Sequence, residues 1–169
     1  MIQPAISIRP ATLADVPAIL GFIKELAEYE RAPNDVVATE ADLVRDLFGE
    51  RPCCEAIMGL VRETHDGPDV ARGFALFFHN FSTWEGRRGL YLEDLFVKPG
   101  FRGRGVGALL MAHLAGLAVA RGCARFEWSV LDWNTPAIGF YQSLGARVLD
   151  DWRVCRLDGD ALTRLAELA

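Results

Sequence analysis

The sequence predicts an α+β fold: a mixed, mostly antiparallel sheet with helices packed on it. Two patterns predict it. Apolar residues recur at helical spacing in the first thirty residues and again after residue 105, and three apolar runs of strand length follow one another between them with short connections. The chain is 169 residues long and 51% hydrophobic. That is the size and apolar content of one ordinary domain. No repeat, low-complexity stretch or linker divides the chain, so the expectation is a single domain spanning 1–169.

Ile6-Ser7-Ile8-Arg9 alternates like a short strand. Thr12 is placed to cap a helix, with Asp15 three positions on as its acidic partner. Val16, Ile19, Leu20, Ile23 and Leu26 then carry that helix to about Tyr29. Thr39 and Asp42 repeat the cap for a second helix with Leu43 and Leu47 on one face, closed by Gly49. Residues 56–61, 73–81 and 90–97 read as three strands of an antiparallel meander, the first two separated by His65-Asp66-Gly67-Pro68. Val106, Leu109, Leu110, His113, Leu114 and Leu117 mark a helix ending near Gly122. A strand over 125–130, a helix from Pro136 to Leu144 closed by Gly145, a strand region over 148–157 and a short helix over 158–168 complete the order.

Charge excludes one class of partner. Eighteen Lys and Arg stand against 23 Asp and Glu, a net charge of −5. A general nucleic-acid binder is normally basic. No apolar run reaches the roughly 18–20 residues needed to cross a bilayer, and residues 1–9 lack the regions of a signal peptide. The expected location is therefore cytoplasmic, with no membrane and no nucleic-acid partner. Cys53, Cys54, Cys123 and Cys155 form no CxxC and are expected as free thiols. His65, His79 and His113 are isolated, and no metal is expected.

Pro99-Gly100-Phe101-Arg102-Gly103-Arg104-Gly105-Val106-Gly107-Ala108 is the most informative stretch. It joins a strand to a helix. Glycines at 103, 105 and 107 let backbone N–H groups close around an anion, and the helix points its positive end at the same place. Lys98, Arg102 and Arg104 add positive charge. A pyrophosphate fits such a loop. A plain glycine-rich turn is the simpler alternative, but three alternating glycines cost helix propensity with no gain in packing. Gly103-x-Gly105-x-x-Ala108 formally matches a dinucleotide fingerprint, with Glu127 roughly 20 residues on. That fold needs its first glycine at the strand end and several further strand–helix units, which the remaining chain does not provide. The absence of Lys-Ser or Lys-Thr after the glycines excludes a nucleoside-triphosphate loop.

Arg102-x-x-Gly105-x-Gly107 resembles the pyrophosphate loop of the GNAT acyl-CoA N-acyltransferases, and the resemblance runs along almost the whole chain. Ile8-Arg9-Pro10-Ala11-Thr12 is similar to the family's first strand and turn, and Asp132-Trp133-Asn134, Phe140-Tyr141 and Leu144-Gly145-Ala146 to its C-terminal motif. Lys24-Glu25-Leu26-Ala27-Glu28-Tyr29-Glu30, Tyr91-Leu92-Glu93-Asp94-Leu95-Phe96-Val97 and Val130-Leu131-Asp132-Trp133-Asn134 resemble the diamine branch, the spermidine/spermine and thialysine acetyltransferases. The resemblance implies acetyl-CoA as acetyl donor, a small-molecule amine as acceptor and a homodimer, to which 148–157 could contribute.

It also implies roles for residues. The cofactor's arm would lie beside the backbone of Leu95, Phe96 and Val97, and its pyrophosphate on Arg102, Gly103, Arg104, Gly105, Val106, Gly107 and Ala108. Asn134, Pro136 and Tyr141 complete the cofactor set, although Asn134 reads equally well as a helix N-cap. Tyr141 is the candidate general acid, since a phenol with pKa near 10 suits a thiolate leaving group. Glu93 and Asp94 are adjacent carboxylates in an apolar strand, costly unless employed or paired. In regular alternation they face opposite ways. Glu93 is assigned to amine binding and deprotonation, Asp94 to pairing with a cation or orienting the site. Tyr29, Glu30 and Trp84, with Glu127, Trp128 and Ser129, complete the acceptor side. Ser82 and the short Asp150-Asp151-Trp152 segment depart from the polyamine pattern and leave a smaller, thialysine-like amine open. The competing functions are an acyl-CoA sensor that transfers nothing and a nicotinamide-dependent reductase.

Overall fold

The computed structural model describes residues 5–168, which divide into two units, the first ending at Ser129 and the second beginning at Val130. The first contains β1 (Ala5–Pro10), α1 (Val16–Tyr29), α2 (Glu40–Phe48), β2 (Glu55–Arg62), β3 (Val70–Ser82), β4 (Arg87–Val97), α3 (Val106–Ala120) and β5 (Phe126–Trp128). The second contains α4 (Thr135–Ser143) and α5 (Gly159–Ala166). The fold class is the α+β arrangement expected from the sequence.

The five strands lie in chain order. β1 through β4 pair antiparallel and β5 joins β4 in parallel. Short connections make the antiparallel part, while the one parallel pair needs the α3 crossover. Both N-terminal helix caps form as the sequence reads. Asp15 Oδ2 accepts from the Thr12 backbone N–H at 2.7 Å and from its hydroxyl at 2.8 Å. Thr39 and Asp42 make the same reciprocal box at the start of α2. Thr12 caps a 3₁₀ turn, Leu13–Asp15, which runs into α1.

Two helical layers cover the sheet. Val16, Ile19 and Phe22 of α1 and Leu43 and Leu47 of α2 pack with Met58, Leu60, Phe74, Leu76 and Phe96 in one core. α3 lies over β2, β3 and β4, burying Val106, Leu110 and Leu114. Gly59 admits this helix, since a Cβ there would stand 2.9 Å from Val106 Cγ1.

One expected element is absent. Residues 148–157 form no strand, and no strand among the described residues pairs with them. Apolar character supplies only a preference, and a strand exists through the ladder it joins. The segment interrupts its own alternation at Asp150-Asp151, and its side chains stay exposed, Trp152 at 72% and Val154 at 77%.

Candidate active site

β4 builds the centre of the site. Its register against β3 slips by one residue: Leu76 faces Asp94, but Phe77 faces Leu92. Glu93 is therefore an extra residue, a β-bulge that interrupts the alternation read from the sequence. On the other side, β5 pairs only with Leu90, Tyr91 and Leu92. Beyond Leu92 the two strands part, and residues 93–97 of β4 have no partner strand on that edge among the described residues. On that edge the backbone groups of Leu95 and the Val97 N–H have no ladder partner, whereas Phe96 is turned to Phe74 of β3 and the Val97 carbonyl accepts from Arg102.

The bulge brings three acidic residues into one electrostatic neighbourhood. Burial in the sheet, with the charges of Glu93 and Glu30 adding to it, pushes the Asp94 carboxyl from 3.8 up to about 6. Burial also raises the pKa of Glu30, just past the end of α1. No lysine or arginine among the described residues makes an ion pair with Asp94. Of the two roles the sequence leaves to Asp94, pairing with a cation or orienting the site, the first has no lysine or arginine partner among those residues.

The glycine loop follows β4. Gly103 and Gly105 adopt φ of 71° and 94°, a region closed to most side chains. No atom lies within 4 Å of a Cβ built at Gly103, so the loop is open there and glycine is needed for its backbone conformation rather than for space. Gly105 is the N-cap of α3, while Gly107 lies inside the first turn. The loop and the N-terminus of α3 thus form a cradle suited to a diphosphate, as acyl-CoA requires.

The three cations of this region are held differently. Lys98 is neutralised by Glu25 at 2.7 Å. Arg102 donates from Nε to the Val97 carbonyl at 3.0 Å, and its guanidinium stands 4.6 Å over the ring of Tyr29. Arg104 lies over Phe101 at 5.2 Å. The Arg102–Tyr29 contact joins the loop to an acceptor-side residue, a link that linear spacing does not reveal.

The remaining residues of the first unit that the sequence reading puts on the acceptor side lie at β5 and in the β3–β4 turn. Arg125 Nε lies 2.8 Å from Glu127 Oε2, which also accepts from Asn80 Nδ2 at 3.1 Å. The Tyr91 hydroxyl bonds Ser129 Oγ at 2.8 Å. Trp128 packs edge-on against Phe126 at 4.9 Å. Trp84, 90% exposed in the β3–β4 turn, lies beyond the far end of β4 and is not brought to Glu93 within the chain. Sequence reasoning singled out Glu127 and Ser129 but not Arg125, Asn80 and Tyr91, which contact them. The available signal was Arg125-x-Glu127, opposite charges two apart on a strand and hence on one face.

In the second unit Asn134 caps α4, its Oδ1 accepting from Ala137 N–H at 3.3 Å, with Pro136 in the first turn. Tyr141 lies on the same helix, its ring 5.3 Å from that of Phe140.

The GNAT acetyltransferase family model matches residues 23–146. The chain is 38% identical to a thialysine N-epsilon-acetyltransferase of Sus scrofa, over 96% of this chain and 98% of that protein. It is 36% identical to an L-ornithine N5-acetyltransferase of Arabidopsis thaliana, over 95% and 88% of the two chains. Among solved structures, an integron cassette protein from the mobile metagenome of V. cholerae superposes with a TM-score of 0.76 at 29% identity, over 99% of both chains. With the splayed strand, the bulge and the glycine cradle in place, the chain belongs to the GNAT acetyltransferase family and is an acyl-CoA-dependent N-acetyltransferase acting on amines.

Proposed function

We propose that this protein transfers an acetyl group from acetyl-CoA to a primary amine of a small molecule, a diamine, polyamine or thialysine-like amino acid, by direct attack within a ternary complex. The observation that carries the reading is the β4 bulge, which sets half-buried Asp94 beside an unpaired backbone edge. The named relatives support the acceptor class, because thialysine and ornithine both carry a side-chain amine. The whole chain, 1–169, is taken as one transferase domain.

Acetyl-CoA supplies an acyl group activated as a thioester. Arg102, Gly103, Arg104, Gly105, Val106, Gly107 and Ala108, with Asn134 and Pro136, would hold it. Main-chain groups of Leu95, Phe96 and Val97 would align its arm, one N–H polarising the reacting carbonyl. An alkylamine has a pKa near 10 and arrives as a cation at neutral pH. Glu93 and Asp94 receive that cation, with Tyr29, Glu30, Trp84, Glu127, Trp128 and Ser129 around the rest of the acceptor. The sequence reading gives proton removal to Glu93, through water. With its pKa at about 6, Asp94 is the better matched to hold a proton near neutral pH. Tyr141 keeps its phenolic proton for the departing sulfur.

A homodimer and a cytoplasmic location belong to the same proposal. Exposed Trp152, Val154 and Leu157 offer apolar area to a second copy, and four free cysteines suit a reducing compartment. Light scattering should report twice the chain mass; a monomer counts against the dimer. The central test is thiol release from acetyl-CoA with a panel of amines. Amine-dependent release is expected. Acetyl-CoA binding without release for any amine would leave only a sensor.

A further inference from the structure

The side-chain cluster at Arg125, Glu127 and Asn80 has chemistry that simple amine binding does not call for. We propose that it reads the α-ammonium and α-carboxylate of a free basic amino acid whose side-chain amine is presented to Asp94. This rests on the amine-transfer reading above and narrows it.

The sheet puts both ends of such a ligand on one surface. Asp94 faces Leu76, Tyr91 faces Phe78, and Tyr91 also faces Glu127 on β5. Leu76 and Phe78 are two apart on β3, so Asp94, Tyr91 and Glu127 share a face. Strand geometry sets the Cα atoms of Asp94 and Glu127 roughly 9–11 Å apart. Ornithine and lysine separate their two nitrogens by about 6–7.5 Å along five and six bonds. Ionic hydrogen bonds of about 2.8 Å at each end make up the difference. Between the ends lie the rings of Phe78 and Tyr91, 5.2 Å apart, apolar area for the ligand's methylenes.

The head end is charged in both senses. Glu127 supplies an acceptor for the α-ammonium and is held by Asn80. Arg125 approaches Glu127 through Nε, and its terminal nitrogens donate no hydrogen bond among the described residues. That edge is the donor fork that binds a carboxylate in bidentate fashion. Side-chain exposures of 38% for Arg125 and 33% for Glu127 leave both open to a ligand. Gly89 makes room for both Asn80 and Arg125, since a Cβ there would collide with Asn80 Oδ1 and stand 3.0 Å from Arg125 Cγ. A plain diamine has no group for the arginine and would set a second ammonium beside it.

The test compares L-ornithine and L-lysine with their decarboxylated counterparts, putrescine and cadaverine, by thiol release from acetyl-CoA. Wild-type kcat/KM should be higher for each amino acid than for its diamine. Arg125→Gln should lower that ratio about tenfold or more, the scale of one charged hydrogen bond. Gly89→Ala, which keeps the arginine but crowds its seat, should move the ratio the same way. Preference for the diamines, or a ratio unchanged in both variants, overturns the head-group subsite and leaves amine transfer standing. Turnover of neither pair of compounds overturns amine transfer itself, and the subsite with it.

Discussion

Asp94 and Tyr91 occupy the same face of the sheet although they are three positions apart, because the extra residue between Leu92 and Asp94 resets the alternation of β4. The same bulge gives Asp94 its burial and its acidic neighbours.

Asp94 should therefore govern a pH-dependent step. Its carboxyl is neutral below about 6 and charged above, so kcat/KM for the amine should rise with pH through that value. Asp94→Asn should remove the break and lower kcat/KM by roughly a hundredfold. Glu93→Gln should impair amine KM and rate together, with a loss that shrinks as pH rises. Stability moves the opposite way. The folded pKa lies above 3.8, so the native state binds the proton more tightly than the unfolded chain. The resulting penalty is absent below pH 4, grows through the interval and is complete above about 6. Asp94→Asn should thus stabilise the protein at pH 7.5 by about 2–3 kcal/mol and leave it unchanged near pH 3.5, as denaturant melts at the two pH values would show. A wild-type pH profile with no break near 6 would contradict the role given to Asp94.

Tyr141→Phe removes only the phenolic oxygen. Turnover should fall roughly a hundredfold or more, with acetyl-CoA affinity nearly intact. Single-turnover rates and calorimetry separate the two effects. A wild-type rate under chemistry-limited conditions means that another residue supplies the proton.

Gly105→Val tests the cradle. A β-branched residue at φ 94° is strained, and its side chain would stand where a diphosphate meets the N-terminus of α3. CoA affinity should fall tenfold or more by calorimetry, with a melting curve to establish that the variant is folded. Unchanged affinity would place the cofactor elsewhere.

The Arg9–Asp15 pair tests the fold. Asp15 is held at about 2, chiefly by its hydrogen bond from Arg9 at 2.7 Å and against the cost of burial, with Thr12 adding to it. A lowered carboxylate pKa contributes stability that is complete above about pH 4 and is lost as pH falls through 2. Asp15→Asn should cost about 1–3 kcal/mol at neutral pH, and the cost should fade in acid. An equal loss at pH 2 and pH 7 would rule out the charge as its source.

The legible features were local ones. Thr12 with Asp15 and Thr39 with Asp42 announce their helices because a cap and its partner are three residues apart. The glycine loop is legible for a similar reason, since left-handed backbone selects glycine at 103 and 105. The bulge at Glu93 was not legible, because it is a property of the register between β3 and β4 and of neither strand alone. The seat of Arg102 on Tyr29 and the bond from Asn80 to Glu127 bring together residues 73 and 47 positions apart by numbering. Residues 148–157 show the converse: apolar composition suggested a strand that no ladder supports.

The parting of β4 from β5 after Leu92 bears on how such an enzyme can change its acceptor. Main-chain groups present the same donors and acceptors whatever side chains are attached to them. A thioester gripped by the bare edge of β4 would therefore be indifferent to substitution at Leu95 or Val97 that preserves the strand. In the proposed site the acceptor is instead read by side chains such as Arg125, Glu127 and Asp94, where one replacement would rewrite what is read. Donor chemistry can then stay constant while acceptor choice drifts, because the two are encoded in different parts of the polypeptide.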